Sequence, residues 1–429
     1  TPPVLSDLSA LSVAGPAGVD SLVVDFSTGD PLPASGLTLS STGGIEALTL
    51  LGTSGDDAVD VGSSTISVQA GFGSASIAFT SVNTIAFNSG GGSDTLTQSA
   101  NPAGGAPLSF VGMTSSDTLD VEGGVYKFPA GASAGINQLT LGNLVIAAGA
   151  QVVLTTPASE ANRTLLTLGT LSIAGTSGDY GGQLDLGGND LDVQSSTLTA
   201  INDLVQSGLD LPAGATWGGN GIASSAAAAD PTHTTALGVI ENGSLYSPGS
   251  ADTFDGINPA PTDILVKYTY VGDANLDGQV DGSDYSLIDA GYTGAAATGW
   301  ASGDFNYDGA VDGSDYALID NSFNNQAMSL GSTAMTAETA TPTAVVAATV
   351  KKVPGVVTAK VATATVDLGT TQVVRPVKVS TPFAIGPIRP AVAASAPTAP
   401  LPVAYFGVNP FYQGKRKAQK PADDLPAVL

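Results

Sequence analysis

GTSGDDAV (52–59), SGGGSDTL (89–96) and GMTSSDTL (112–119) share one register: a turn of small residues, an aspartate, one further residue, then an aliphatic. GPAGVDSL (15–22) follows the same pattern. The aspartates are Asp20, Asp57, Asp94 and Asp117, separated by 37, 37 and 23 residues. A unit of this size cannot bury its aliphatic alone and must stack on its neighbours. Between the turns lie short alternating runs: SLVVDF (21–26), TISV (65–68), SIAF (76–79), TIAF (84–87), QLTL (138–141), LSI (171–173) and QLDL (183–186). Alternation with period two reads as strands with one buried face. The expected fold is therefore mainly β: a Gly/Asp-rich, parallel β-solenoid-like region over residues 1–195, with β-sandwich repeats as the alternative. At the turns, glycine permits positive φ and aspartate binds the local backbone.

Composition agrees with this. Glycine (54) and proline (26) are abundant and only 12 % of residues are charged, which argues against a helical protein and for short strands joined by turns. With no cysteine, disulfides, zinc–thiolate sites and cysteine nucleophiles are excluded. The net charge of −25 is unevenly spread. Lys127, Arg163 and Lys267 are the only basic residues before residue 351, whereas the remainder holds ten. The acidic body lacks the Lys and Arg that phosphate contacts need, so nucleic acid is not an expected partner. No apolar run is long enough for a membrane span and no segment resembles a signal peptide. The chain, opening on Thr1-Pro2-Pro3, reads as a mature product or a fragment of a longer polypeptide.

Beyond the strands, residues 196–262 read as a connector. Ser196 or Thr197 can cap a helix whose apolar stripe is Leu198, Ile201, Leu204 and Val205, with Gly208 as a stop. WGGNGIASSAAAADPT (217–232) reads as a loop with about one helical turn. ILVKYTY (264–270) is a strand. Residues 328–429, rich in Ala, Thr, Val and Pro, read as a basic, disordered tail, in which VVTAKVATATVDL (356–368) could form a strand.

The strand at 264–270 runs into GDANLDGQVDGSDYSLID (272–289), which is nearly repeated as GDFNYDGAVDGSDYALID (303–320), identical at 14 of 18 positions. Counted from Asp273, oxygen donors fall at positions 1, 3, 5, 9 and 12: Asp273, Asn275, Asp277, Asp281 and Asp284, with the Gln279 carbonyl at 7 and Gly278 at 6. The second copy places Asp304, Asn306, Asp308, Asp312 and Asp315, with the Ala310 carbonyl and Gly309. This is the EF-hand ligand spacing for Ca2+, and a donor set of hard oxygens alone favours calcium over transition metals. Two Ca2+ ions are expected. The aliphatic at position 8 (Val280, Val311) could pair the loops through a short strand. Position 12 is Asp rather than Glu, and a helix follows each loop but none convincingly precedes it.

The duplication, Asp at 12, the helix after each loop and the 31-residue offset resemble a type I dockerin over residues 263–327. The resemblance implies a small α module that docks onto a cohesin-like module of another protein, with contacts at loop positions 10 and 11: Gly282, Ser283, Gly313 and Ser314. Gly at position 10 departs from the hydroxyl pair often found there. Tyr285, Leu287 and Ile288, repeated as Tyr316, Leu318 and Ile319, are expected mostly in the module core. The Asp-bearing turns are loosely similar to the calcium-binding repeats of β-roll proteins, but as isolated copies they read first as structural corners. QLDLGGNDLDV and GIASSAAAADPTHTTALGVIENGS, ahead of the loops, resemble secreted bacterial proteins with autotransporter-like β-solenoid regions, which implies an extracellular or cell-surface location. The function read from this is calcium-dependent attachment. The alternatives are a polysaccharide-active or carbohydrate-binding component, with a cell-surface polysaccharide as ligand, and a purely structural surface or matrix protein. No catalytic set is legible: Lys127 and Arg163 are the only bases in the solenoid-like region, and His233, the single histidine, has no nucleophile beside it. The reading leans against an enzyme.

Overall fold

A computed structural model describes residues 11–13, 21–39, 47–131, 135–211, 214–245, 253–294, 299–326 and 330, and two two-residue strands at 345–346 and 362–363. Residues 1–340 form one compact unit and residues 341–429 a second. In the second unit Val345–Val346 pairs antiparallel with Ala362–Thr363; apart from these and Leu330, the expected tail, and Asp20, lie outside the described residues.

The first unit is mainly β with parallel sheets. Strands Ala58–Val61, Thr95–Gln98, Thr118–Val121, Asn137–Ile146, Thr164–Ile173 and Asp190–Val193 pair in parallel, each with the next. Two four-stranded parallel sheets accompany them. One runs Ser21–Asp25, Ala47–Leu51, Ile85–Asn88, Leu108–Val111. The other runs Val125–Phe128, Gln151–Leu154, Gln183–Asp185, Gly221–Ala223. Register places like on like: Val59, Leu96, Leu119, Leu144 and Leu171 lie side by side across the long sheet, the first four almost wholly buried. Phe87 and Phe110 stack at 5.4 Å in the second sheet. Such in-register stacks of aliphatics and aromatics are where burial stabilises the sheet most, at roughly 25 cal/mol per Å2 removed from water.

The aspartate turns are coupled in the same direction. Asp57 N–H donates to Asp94 Oδ1 and Asp94 N–H to Asp117 Oδ1, both at 2.8 Å. Asp57 and Asp117 also accept from the backbone N–H and hydroxyl of Thr53 and Thr114. Asp94 has glycines where those threonines stand, and its buried Oδ2 has no partner among the described residues. Burial, with Asp117, Asp57 and Asp56 nearby, pushes its carboxyl up to about 6.

Helix α1 (Leu198–Leu209) is capped by Thr197, whose side chain accepts from Ala200 N–H. Ile201, Leu204 and Val205 are buried as the stripe requires. The left-handed residue that ends the helix is Asp210 (φ 56°), not Gly208. Gly208 is buried, and a Cβ there would collide with the Ile222 carbonyl; it permits the close approach of strand 221–223. Two one-turn helices follow, α2 (Ser225–Ala228) and α3 (Asn242–Leu245). The segment read as a connector also contributes strands: Gly221–Ala223 extends a parallel sheet, and Thr235–Glu241 pairs antiparallel with Ile264–Tyr270. Ile264–Tyr270 in turn joins Asp190–Val193, so the strand leading into the Asp loops is part of the long sheet. Helices α4 (Gly282–Thr293) and α5 (Gly313–Asn325) follow the two loops. Among the described residues no helix is long and apolar enough to cross a membrane.

Candidate metal centres in the duplicated loops

Both loops fold the same way because the same residues bind the same backbone groups. Positions 4 and 6 are left-handed: Leu276 and Gly278 at φ 57° and 88°, Tyr307 and Gly309 at 57° and 87°. Gly278 N–H donates to Asp273 Oδ2 at 2.8 Å and Gly309 N–H to Asp304 Oδ2 at 3.1 Å. Asn275 Oδ1 accepts from Asp277 N–H, and Asn306 Oδ1 from Asp308 N–H. The aspartate at position 12 reaches back across the loop. Asp284 Oδ1 accepts from Ala274 N–H at 2.9 Å and Asp315 Oδ1 from Phe305 N–H at 2.9 Å. Their second oxygens accept from Asp281 and Asp312 N–H. Asp281 and Asp312 cap α4 and α5, completing a capping box at each helix start. The methylene missing relative to Glu therefore does not prevent position 12 from closing the loop.

The helices are fixed to each other by exchange. Ile319 of α5 packs on Gly272 and Ile288 of α4 on Gly303, so closely that a Cβ on either glycine would lie 2.7 or 2.5 Å away. Tyr285 hydroxyl donates to Asp320 and Tyr316 hydroxyl to Asp289, each at 2.5 Å. Tyr285 packs edge-on to Phe323 and Tyr292 edge-on to Tyr316. Ile288 and Ile319 are buried as expected, while the tyrosines and Leu287 and Leu318 are half-buried. Tyr292 and Phe323 are exposed at 62 % and 49 %; this aromatic pair was not singled out in the sequence, although both stand seven residues after the repeated tyrosine. Gly282, Ser283, Gly313 and Ser314 are exposed, and both serine hydroxyls donate to the capping aspartates.

The expected strand pair through position 8 does not form. The Gln326 side chain takes both backbone groups of Val280, accepting its N–H at 2.8 Å and donating to its carbonyl at 2.6 Å. The loops are also tied to one another and to the body. Trp300 Nε1 donates to Asp273 O, Tyr307 hydroxyl to Leu237 O, Gln206 Nε2 to Tyr307 O and Ser322 hydroxyl to Thr234 O.

The electrostatics are one-sided. No Lys, Arg or His occurs between residues 268 and 350. Burial pushes Asp273 up to about 7 despite the Thr269 hydroxyl and Gly278 N–H, with Asp277 and Asp284 adding to it. Asp284 rises to about 6, chiefly by burial, and Asp304 to about 6, by burial and then Asp315 and Asp308. Asp315 is raised by burial. Asp281 and Asp312 are lowered by their serine partners. As folded here, Asn275 and Asn306 direct amide N–H groups onto Asp277 and Asp308, each at 3.0 Å, a weak stand-in for positive charge. Among the described residues, no three His, Cys, Asp or Glu side chains converge in metal-holding geometry. The donor chemistry nonetheless fits a hard divalent cation: an oxygen at every expected ligand position and, among the described residues, no competing protein cation in the loops and no partner for the buried Asp304 Oδ1.

The body's other ionic cluster is closed. Arg163 bonds Asp190 (2.7 Å) and Asp255, and Lys267 lies 3.2 Å from Asp190 and 3.8 Å from Asp255, all buried. Arg163, held by two carboxylates, is not placed to act as a base. Lys127 and His233 are exposed. No family model, curated protein or solved structure matches this chain.

Proposed function

We propose that residues 263–327 are a dockerin-like module that takes two Ca2+ ions and attaches this chain to a cohesin-type partner at the cell surface or outside the cell. The observation that carries the reading is that two copies of one oxygen-rich loop adopt one conformation with no cation of the protein among them. Asp273, Asn275, Asp277, Asp281 and Asp284, with the Gln279 carbonyl, would hold one ion. Asp304, Asn306, Asp308, Asp312 and Asp315, with the Ala310 carbonyl, would hold the other. Bound calcium would supply the positive charge that these buried carboxylates lack, fixing α4 and α5. The exposed Gly282–Ser283 and Gly313–Ser314, with Tyr292 and Phe323, offer a partner two near-equivalent ends. The in-register parallel ladders of residues 21–223 favour a β-solenoid over a sandwich, whose sheets are typically antiparallel.

One observation favours a second reading, a structural one. Ile264–Tyr270 is a strand of the long sheet, so the repeat also works as an end cap that calcium stiffens. The experiment immobilises the full chain, because the repeat shares its lead strand with the sheet. Secreted and envelope fractions are passed over it in Ca2+ and in chelator, and bound calcium is counted. Two ions per chain and calcium-dependent retention of a protein with a cohesin-like β-sandwich are expected. Two ions without such a partner would support the structural reading. A chain that binds no calcium would remove both.

A further inference from the structure

The two loops carry the same ligand residues, but their first aspartates are not equally satisfied. Asp273 Oδ1 accepts from Asp277 N–H, and its Oδ2 accepts from Gly278 N–H and the Thr269 hydroxyl. Asp304 Oδ2 accepts from Gly309 N–H, whereas Oδ1 is buried with no partner among the described residues. Thr269 stands four residues before Asp273; the matching place before Asp304 is Trp300, which has no hydroxyl. Asp304 is only 4 % exposed and lines a cavity of about 250 Å3.

The facing wall of that cavity is α1, through Thr199, Asn202, Asp203 and Gln206. Gln206 fastens the helix to the loop by donating to the carbonyl of Tyr307, at position 4, at 2.6 Å. Asn202 lies one turn earlier, on the same face as Gln206. Its Oδ1 is also buried without a partner among the described residues. Two residues that carry orphaned acceptors, from segments about a hundred residues apart, therefore line one cavity, with Asp203 and Asp308 at its walls and no basic side chain among its lining. Buried acceptors without donors are costly unless something positive or a donor joins them.

We propose that Asn202 Oδ1 is a further oxygen ligand for the cation of the second loop. That site is then completed by a helix of the β body, whereas the first is built by the repeat and its lead strand. The inference rests on the calcium reading above and adds to it a ligand that the loop spacing does not contain.

The test uses the full chain, stripped with chelator and titrated with CaCl2 at neutral pH. An Asp273→Asn background leaves the second site to be read alone. Heat of binding is one readout. The fluorescence of buried Trp300, stacked 5.6 Å from Tyr307, is another. Asn202→Ala is expected to weaken the remaining site about tenfold, and Asn202→Asp, which keeps the oxygen, to hold or tighten it. An unchanged constant in Asn202→Ala would overturn the proposal. So would equal weakening in both variants, because Asn202 would then act by packing α1. If the unsubstituted chain binds no calcium, the proposal falls together with the reading beneath it. If that chain binds two ions and Asn202→Ala is without effect, only the proposal falls.

Discussion

At the scale of single residues, the aspartates separate into those that satisfy backbone groups and those left in want of a charge. Asp117 holds Thr114 N–H and hydroxyl and Asp94 N–H. Asp117→Ala would strand the buried Asp94 N–H, and about 1–3 kcal/mol of lost stability is expected in chemical denaturation. Asp94 carries an oxygen with no partner among the described residues, beside the carboxylates of Asp117, Asp57 and Asp56. Asp94→Asn should raise stability by about 1 kcal/mol at pH 8, since it removes a buried charge and keeps the acceptor for Asp57 N–H. The loop carboxylates give a third prediction. Asp273, Asp284 and Asp304 titrate near 7, 6 and 6 when folded, above the ordinary 3.8. Their protons are held more tightly in the folded state, so their contribution is complete below about pH 4 and is lost as pH rises through 6 to 7. In chelator the melting temperature should fall between pH 5 and pH 8. The proposed calcium, by binding the ionised form, should flatten that fall. A calcium-free profile that rises over this range would contradict the assignment of these groups as buried and uncompensated.

At the scale of elements, α4 and α5 depend on two glycines that no other residue can replace. Gly303 has φ 101° and lies against Ile288, and Gly272 has φ 102° and lies against Ile319. Gly303→Ala combines backbone strain with overpacking, and a loss of about 2–4 kcal/mol is expected. Gln326 replaces the loop-to-loop strand pair with a side-chain clamp on Val280. Gln326→Ala removes two hydrogen bonds, both to the backbone of buried Val280, and should cost about 1–3 kcal/mol. It should weaken calcium at the first loop and leave the second loop's constant alone. The two constants from one titration separate these outcomes.

At the scale of the whole unit, the repeat is joined to the β body by Ile264–Tyr270, by α1 and by the Arg163–Lys267–Asp190–Asp255 cluster. Lys267→Met leaves two buried carboxylates sharing one arginine, and about 3–5 kcal/mol of destabilisation is expected. The shared sheet also predicts where calcium is felt. Hydrogen exchange of the full chain should show gained protection in Thr235–Glu241 and Ile264–Tyr270 as well as in the loops. Protection confined to residues 272–326 would mean that the repeat is mechanically independent of the sheet it abuts.

The sequence by itself determined whatever depends on local pattern. Alternation marked the strands, Thr197 and its stripe marked α1, and ligand spacing marked both Asp loops and the helices after them, because each of these is set by neighbours a few residues away. Parallel pairing could be expected from the recurring turns, but the ladders Asp57–Asp94–Asp117 and Val59–Leu96–Leu119–Leu144 exist only once separate turns are stacked. Tertiary structure alone decided the rest. Asp210 rather than Gly208 ends α1, because Gly208 is needed where strand 221–223 approaches. Val280 finds Gln326, forty-six residues away, instead of Val311. Arg163 and Lys267 are drawn into one buried cluster by two carboxylates, Asp190 and Asp255, from two other segments. The two loops, nearly identical in sequence, differ in how far their first aspartates are satisfied, because Thr269 precedes Asp273 whereas Trp300 stands at the matching place before Asp304. Residue spacing specifies which atoms a loop can offer; only the packing of remote elements decides which of those atoms are already taken.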